Sequence, residues 1–262
     1  MTLAELIDQF GEQQVVAFFL VLARVSPLFL IAPLFSSKSV PARVRGTIAV
    51  ALAIGLGPVV GRDAQIDLDT WNLVGLLGKE ILVGASFAFV LAAFFAAIQV
   101  AGSFLDTLIG FAYGGLIDPI TGNQSAVLTQ LYAFIGVAVF IAIGGDAWVI
   151  EGMARTYDVV PMDAYPQITA IVRGADAAFV GVFAAAIQVA GPVVLALIVT
   201  DAAFGVVSRV VPQLNVFAVG FPAKVFVGLL LIGTSLPFVA GWFADELQTS
   251  VGQALKTLQV AG

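Results

Sequence analysis

The stretch TDAAFGVVSRVVPQLNVFAVGFPAK, residues 200–224, separates two membrane-length apolar runs. It contains one acid, two bases, two prolines and an asparagine: Asp201, Arg209, Lys224, Pro212, Pro222 and Asn215. In lipid every backbone polar group has to be satisfied within the protein, and a proline removes one donor. A charge at membrane depth costs roughly 2.5 to 3.5 kcal/mol on insertion scales. The stretch therefore needs protein or water around it.

The composition indicates an integral membrane protein. The chain is 60% hydrophobic and 11% charged, whereas soluble domains carry about 45–50% apolar and about 25% charged residues. Uncharged apolar runs of membrane-spanning length lie at 81–105, 119–145, 177–200 and 225–244, and shorter or charge-bearing candidates lie at about 14–37 and 46–61. These runs lack the alternation of a β-barrel. We predict an all-α membrane protein with about six hydrophobic, Pro- and Gly-broken helical segments.

The absence of cysteine and histidine restricts the chemistry. It excludes thiolates, haem, His-based metal sites and Ser-His or Cys-His nucleophile pairs. The fragments Tyr157-Asp158 and Gly144-Gly145-Asp146 only superficially resemble an intramembrane aspartyl protease, because position 143 is isoleucine and the order is reversed. We predict no enzyme and no cofactor, and the net charge of −6 argues against nucleic acid as a partner.

The chain shows no linker, so we predict a single domain over 1–262 without a separate soluble domain. Residues 146–176 form the longest polar stretch and predict an extramembrane connection with local helix. The last eighteen or so residues predict a soluble amphipathic tail. The acidic N-terminus lacks the positive region of a cleaved signal peptide, so the first apolar segment is expected to direct targeting.

Charges in the first half of the chain carry three predictions. Arg24 lies near the centre of the first apolar segment, where a charge is expected to face a bundle interior. The loop SSKSVPARVRG, residues 36–46, contains three bases and no acid, which predicts a cytoplasmic location. Lys79 and Glu80 are adjacent, about 100° apart on a helix, so we expect them to meet different neighbours or to lie at the interface.

A glycine-rich stretch, DTLIGFAYGGLIDPITG, occupies residues 106–122 between apolar runs. Gly114-Gly115 and Asp118-Pro119 are typical of turns. One interpretation is an ordinary loop. The other is a mostly apolar segment inside a pore or cavity, because its apolar side chains would otherwise face water.

The intramembrane charges leave two interpretations open. A secondary transporter uses broken helices and mid-depth charges, and Arg24, Glu80, Asp201 and Lys224 are candidates for a proton or ion relay. The same residues are also explained by pairing between helices or subunits. Removing one partner of a buried pair typically costs about 3–5 kcal/mol, so such residues are structurally important without carrying ions.

Three segments resemble the FliR/SctT family of type III export-gate proteins. The first apolar segment with VPARVR (40–45), the stretch AGSFLDTLIGFAYGGLIDPITGNQS (101–125) and residues 200–224 match in order. The string PQLNVF…GFPAK is the most specific part. Injectisome homologues share PQLNVF, whereas the continuation 218–222 is more similar to flagellar members. The family often has a histidine where this chain has Asp146.

The resemblance implies a core subunit of the flagellar protein export gate that is not an enzyme. FliP-like and FliQ-like subunits would join it in a helical assembly in which its segments pack as bent hairpins. FlhB-like and FlhA-like proteins, lipid and unfolded flagellar subunits are the further expected partners. The location implied is the bacterial inner membrane at the flagellar basal body. An injectisome homologue and an ion-coupled transporter are the alternatives.

The resemblance also implies roles for two sets of residues. The segment that closes the channel would comprise Leu108, Ile109, Gly110, Phe111, Tyr113, Gly114, Gly115, Leu116, Asp118 and Pro119. The predicted assembly contacts are Arg24, Pro33, Pro41, Arg43, Arg45, Lys79, Glu80, Asp201, Arg209, Pro212, Asn215, Pro222 and Lys224.

Overall fold

The structure, a computed structural model, describes residues 11–36, 40–60, 66–113, 126–213 and 215–258. Within these ranges it contains seven α-helices and no strand, which confirms the all-α prediction. In chain order they are α1 (Glu12–Ile31), α2 (Ala42–Val60), α3 (Thr70–Ile109), α4 (Val127–Ala142), α5 (Gly145–Val159), α6 (Ile168–Val210) and α7 (Val216–Leu258). A 3-10 turn, Phe111–Tyr113, follows α3.

Four of the described helices are long and apolar enough to cross a membrane: α1, α3, α6 and most of α7. The bent pair α4 and α5 raises the number to five if it counts as one span. Helices α1, α2, α3, α4, α6 and α7 overlap the six hydrophobic segments expected from the sequence. The segment predicted at 46–61 lies on α2, which has 19 residues and begins with Arg43 and Arg45 in its first turn.

The chain divides into two compact units. Unit 1 consists of Met1–Ala93, Gly144–Ala178 and Leu247–Gly262. In it α1 packs against α2. A buried cluster joins α3, the end of α5, α6 and the end of α7 through Val83, Val160, Ile171 and Leu258 respectively. The predicted C-terminal tail is thus helical as far as Leu258, with Leu247, Ala254 and Leu258 buried. Their spacing is the amphipathic pattern of a helix with one packed face.

Unit 2 consists of Phe94–Ile143 and Phe179–Glu246. Its core contains an aromatic cluster from α3, α4 and α7. Phe243 lies 4.7 Å from Phe94 and 5.9 Å from Phe95, measured between ring centroids, and Phe95 lies 5.5 Å from Phe140. Edge-to-face and tilted pairs at these distances add about 0.5–1.5 kcal/mol each beyond the burial of their area.

The boundary between the units falls inside α3, α6 and α7. The units are therefore not consecutive stretches of chain, and the single domain over 1–262 stays a prediction. The helices differ in how much of their apolar surface the chain itself covers. The share of the most apolar part of the helix that the chain itself buries is 56% for α3, 28% for α6 and 17% for α7.

The stretch 200–224 has its break at one place. Helix α6 ends at Val210 and α7 begins at Val216, so Pro212 lies in the connection between two 43-residue helices. Pro222 lies inside α7 and does not end it. Because proline has no N–H, it cannot donate to the carbonyl four residues earlier. The stretch forms the tip of an antiparallel helical hairpin, named below the α6–α7 hairpin.

Candidate functional site

The first candidate site lies in unit 2, where α3 ends and α4 begins. The carboxylate of Asp106, in the last turn of α3, is only 3% exposed. Its Oδ1 accepts a hydrogen bond from the N–H of Leu128 at 2.9 Å, and its Oδ2 accepts from the N–H and Oγ1 of Thr129 at 2.9 and 2.7 Å. Asp106 thus satisfies backbone donors at the start of α4, which no residue of α4 itself caps. We name these residues the α3–α4 anchor.

The α6–α7 hairpin supplies a second contact with the end of α3. Lys224 Nζ lies 2.5 Å from Asp201 Oδ1 and 3.4 Å from the carbonyl oxygen of Leu108. Ile109 is 1% exposed and packs against Gly228, where an added Cβ would lie 2.4 Å from Ile109 Cδ1. The hairpin therefore touches the last residues of α3 through one charged and one apolar contact.

Part of the predicted channel-closing segment lies in helix α3. Leu108 and Ile109 are the last residues of α3, and Ile109 is a core residue, so the expectation that they lie in a loop is wrong. The helix ends because Gly110 has φ 106°, a conformation that favours glycine. Phe111 and Tyr113 belong to the 3-10 turn. Gly114, Gly115, Leu116, Asp118 and Pro119 lie outside the described residues.

The predicted assembly contacts near the hairpin tip have local roles in this structure. Asn215 Oδ1 accepts from the N–H of Ala218 at 3.2 Å, which caps the start of α7. Arg209 is exposed in the last turn of α6, where a cation interacts favourably with the helix dipole. Pro212 and Pro222 are exposed. Contacts of these residues with other subunits stay a prediction.

The second candidate site is a buried charge cluster in unit 1, formed by α1, α3 and the end of α5. Arg24 and Glu80 are both 0% exposed. The Arg24 guanidinium donates through Nη2 to Glu80 Oε1 at 2.9 Å and through Nε to Oε2, a bidentate pair. Nη1 also donates to Thr156 Oγ1 at 3.2 Å, and Nη2 donates to the carbonyl oxygen of Val160 at 2.9 Å. The guanidinium also lies 3.8 Å from the Tyr157 ring centroid, a cation–π contact.

Lys79 completes this cluster. Its Nζ donates to the carbonyl oxygens of Pro161 and Met162 at 3.0 and 2.7 Å and lies 2.8 Å from Glu80 Oε1. Each residue therefore meets a different neighbour, as expected, because Glu80 pairs with Arg24 and Lys79 binds two carbonyl oxygens. The two side chains also pair with each other, and their burial contradicts the alternative of a place at the interface. The 100° between adjacent positions fixes the direction of the Cβ atoms, whereas the long lysine side chain bends back to reach its neighbour. With Lys79 only 4% exposed, every donor of its ammonium group is used.

The other predicted contacts lie in the connection between α1 and α2 and in the first turn of α2. Arg45 Nη1 lies 3.3 Å from the carbonyl oxygens of both Phe29 and Ser36, so it satisfies acceptors at the C-terminal end of α1. The carbonyl oxygen of Pro41 accepts from the amides of the first turn of α2. Pro33 lies in the turn after α1, and Arg43 is exposed. Lys38 lies outside the described residues.

The sequence did not predict the role of Asp106, which is the first residue of the glycine-rich stretch 106–122. Its signal was a lone acid at the end of an apolar run, four residues after a glycine. Thr156 and Tyr157 were likewise missed as partners of Arg24. No pattern in a single sequence connects residues 132 positions apart.

The described residues contain no group of three or more carboxylates that could hold a metal ion. Both candidate sites consist of hydrogen bonds and ion pairs that hold helices together. Neither brings together a nucleophile, a general base and an oxyanion donor, the arrangement that acyl-transfer chemistry requires.

A family model described as "Bacterial export proteins, family 1" matches residues 15–250. The chain belongs to this family. All predicted contact residues and both candidate sites lie inside the matched range, so the chain resembles its family over most of its helical body. The family resemblance inferred from the sequence is confirmed.

Three curated relatives show the extent of the similarity. "Flagellar biosynthetic protein FliR" of Bacillus subtilis (strain 168) is 32% identical over 219 residues, 82% of this chain and 84% of the relative. The protein of the same name in Escherichia coli (strain K12) is 26% identical over 234 residues, 89% of each chain. "Surface presentation of antigens protein SpaR" of Shigella sonnei is 26% identical over 210 residues, 80% of each chain.

Proposed function

We propose that this bacterial export protein is a core subunit of the flagellar type III protein export gate in the inner membrane, at the base of the flagellum. The observation that carries the proposal is similarity to relatives named for flagellar biosynthesis along 82–89% of this chain. The subunit provides no catalytic group. It helps to form the channel through which unfolded flagellar subunits leave the cell, driven by energy supplied elsewhere.

The apolar surface of the α6–α7 hairpin supports a place in a larger assembly. Only 28% of the most apolar part of α6 and 17% of that of α7 are buried by the chain itself. Large exposed apolar surface needs lipid or protein to cover it. We propose that FliP-like and FliQ-like subunits, together with lipid, cover this surface by packing on bent hairpins of this chain. FlhB-like and FlhA-like proteins are proposed as further partners.

The connection that leaves α3 at Gly110 is proposed to close the channel. The described contacts support this proposal because they hold both ends of the connection in place. The α3–α4 anchor binds the start of α4, and Lys224 of the α6–α7 hairpin binds the end of α3. The composition of 106–122 supports it as well, because apolar residues alternate with four glycines. The glycines provide the conformational freedom needed to vacate the channel.

Extraction in a gentle detergent tests the main proposal. The chain is expected to co-purify with FliP-like and FliQ-like proteins when the three are expressed together. A monodisperse lone protein that catalyses ion-coupled uptake in proteoliposomes would overturn the proposal and support a secondary transporter.

A single substitution tests the transporter alternative directly. Asp201→Ala removes the partner of Lys224 and is expected to reduce assembly, measured as the yield of complex on native gels. Normal assembly with lost transport would contradict a contact role and favour an ion relay. Glu151→Ala is the control, because the Glu151–Arg155 pair is exposed and lies within one helix.

Channel closure is tested by deleting residues 110–116 in the assembled complex. The deletion is expected to raise the leakage of small solutes across the membrane, with the unaltered complex as control. Unchanged permeability in a complex that assembles normally would contradict the role of this segment.

Similarity to SpaR of Shigella sonnei keeps an injectisome subunit as a second candidate. Expression in a flagellated host that lacks its own FliR, and in an injectisome host that lacks its own SpaR, separates the two. Restored motility alone supports the flagellar proposal, whereas restored secretion by the injectisome alone would overturn it.

A further inference from the structure

We propose that Asp106 is a positioning residue that fixes the first turn of α4 to the last turns of α3, and that Gly102 makes this possible. The contact holds the two ends of the connection 110–126 at a set separation. The leakage test of this inference, given last, rests on the proposed function, whereas its exchange test does not.

The start of α4 supplies the donors that bind the Asp106 carboxylate. Three donors converge on its two oxygens at 2.7–2.9 Å, and two of these donors are backbone amides of the first turn of α4. The first four amides of a helix have no partner within it. Here the cap comes from a residue 22 positions earlier, so the same interaction that starts α4 also fixes where it starts.

The backbones of α3 and α4 also approach each other closely at the same place. A Cβ built on Gly102 would lie 2.7 Å from Thr129 Cα and 2.8 Å from the carbonyl oxygen of Leu128. Gly102 and Asp106 are four residues apart and therefore lie on one face of α3. One residue removes the steric barrier, and the other supplies the hydrogen bonds. The two features are independent and point to the same contact.

Lys224 adds a weaker contact on the other side of the connection. Its ammonium group reaches the carbonyl oxygen of Leu108 at 3.4 Å, and a lysine near a helix C-terminus satisfies acceptors that have no partner in the helix. The pair with Asp201 at 2.5 Å keeps the lysine beside the end of α3. The Asp201 side chain is half exposed, so this second contact is open to solvent whereas the Asp106 contact is not.

Hydrogen exchange on the purified full-length chain in detergent tests the anchor. Asp106→Ala is expected to speed exchange in the peptide covering residues 127–130 by roughly 2- to 30-fold, the range that corresponds to the loss of a helix cap. Asp106→Asn retains one side-chain acceptor and is expected to give an intermediate rate. Thr107→Val is the control, since the hydroxyl of exposed Thr107 bonds only within α3.

A second pair of variants removes the close approach instead of the hydrogen bonds. Gly102→Ala is expected to speed exchange in the same peptide, because the added Cβ meets backbone atoms. Gly78→Ala in the same helix is the matched control, because a Cβ there has nothing within 4 Å. Unchanged exchange at 127–130 in both Asp106→Ala and Gly102→Ala would overturn the proposal. So would an increase of the same size in every peptide of unit 2, because that outcome indicates a general loss of stability.

The same variants in the assembled complex separate this inference from channel closure. Faster local exchange together with greater leakage supports both. Faster local exchange without leakage supports the anchor and contradicts closure by the connection. Leakage without a local change in exchange would overturn the anchor.

Discussion

The buried charge cluster of unit 1 gives the sharpest test of the structure. Glu80→Ala removes the only carboxylate that pairs with both Arg24 and Lys79 among the described contacts. Arg24 and Glu80 are fully buried, so the cations cannot turn to solvent without opening the helices around them. Removing one partner of such a pair typically costs about 3–5 kcal/mol.

The loss is measurable as a change in thermal stability. For a domain of about 150–250 residues, 1 kcal/mol corresponds to about 2–4 °C in Tm, so we expect Tm to fall by roughly 6–20 °C. Thermal unfolding of the purified chain in a mild detergent, followed by tryptophan fluorescence, measures it. Glu151→Ala is the control, because the Glu151–Arg155 side chains are 57% and 61% exposed and such pairs contribute about 0–1 kcal/mol.

A double variant distinguishes destabilisation by an unpaired buried charge from destabilisation by lost side-chain packing. Arg24→Met with Glu80→Met removes the bidentate pair and leaves Lys79, held by two backbone carbonyls, as the one cation without a carboxylate, whereas Glu80→Ala leaves two such cations. Replacing a buried pair by apolar residues is often neutral or stabilising. We expect the double variant to be more stable than Glu80→Ala. If Glu80→Ala lowers Tm no more than Glu151→Ala does, the assignment of this cluster as a buried determinant of stability is refuted.

Three further substitutions test local features. Gly84→Ala would place a Cβ 1.9 Å from the carbonyl oxygen of Arg24, a backbone clash that forces α1 and α3 apart, so a fall in Tm of several degrees is expected and an unchanged Tm would refute the close approach. Gly46→Ala in α2 is its matched opposite, because a Cβ there has nothing within 4 Å and alanine favours a helix by up to about 1 kcal/mol; a rise in Tm is expected. Asn215→Ala removes the cap on the Ala218 amide and is expected to cost about 0.5–2 kcal/mol, with faster hydrogen exchange confined to the first turn of α7; exchange equal to that of the unaltered chain would contradict the cap.

The helical class and the family followed from the sequence because both depend on local signals. Apolar runs of spanning length need no tertiary information, and PQLNVF…GFPAK is a continuous string. The same reasoning placed Arg24 away from lipid, since its charge is costly there. It could not name the partner, because Glu80 is 56 positions away and Thr156 is 132 positions away.

The errors of prediction have physical causes. The glycines in 106–122 indicated a turn, and the prediction extended that turn upstream to Leu108 and Ile109. Both residues instead lie in α3, where burial of their apolar side chains favours the helix over a loop. The pairing of Lys79 with Glu80 was rejected from helix geometry alone, although side-chain length overrides it. The role of Asp106 depends on a backbone 22 residues away, and a single sequence carries no record of that contact.

The position of the Arg24 partners along the chain has a consequence for biosynthesis. Arg24 enters the nascent chain early, yet Val160 O, which accepts from it, is made 136 residues later, and the carbonyls that hold Lys79 lie 82 and 83 residues after it. At about 5–20 residues per second, Arg24 waits on the order of ten seconds for its last acceptor. A ribosome-bound chain ending before Val160 therefore cannot complete unit 1, and we expect it to depend on the insertion machinery or a chaperone until that turn emerges.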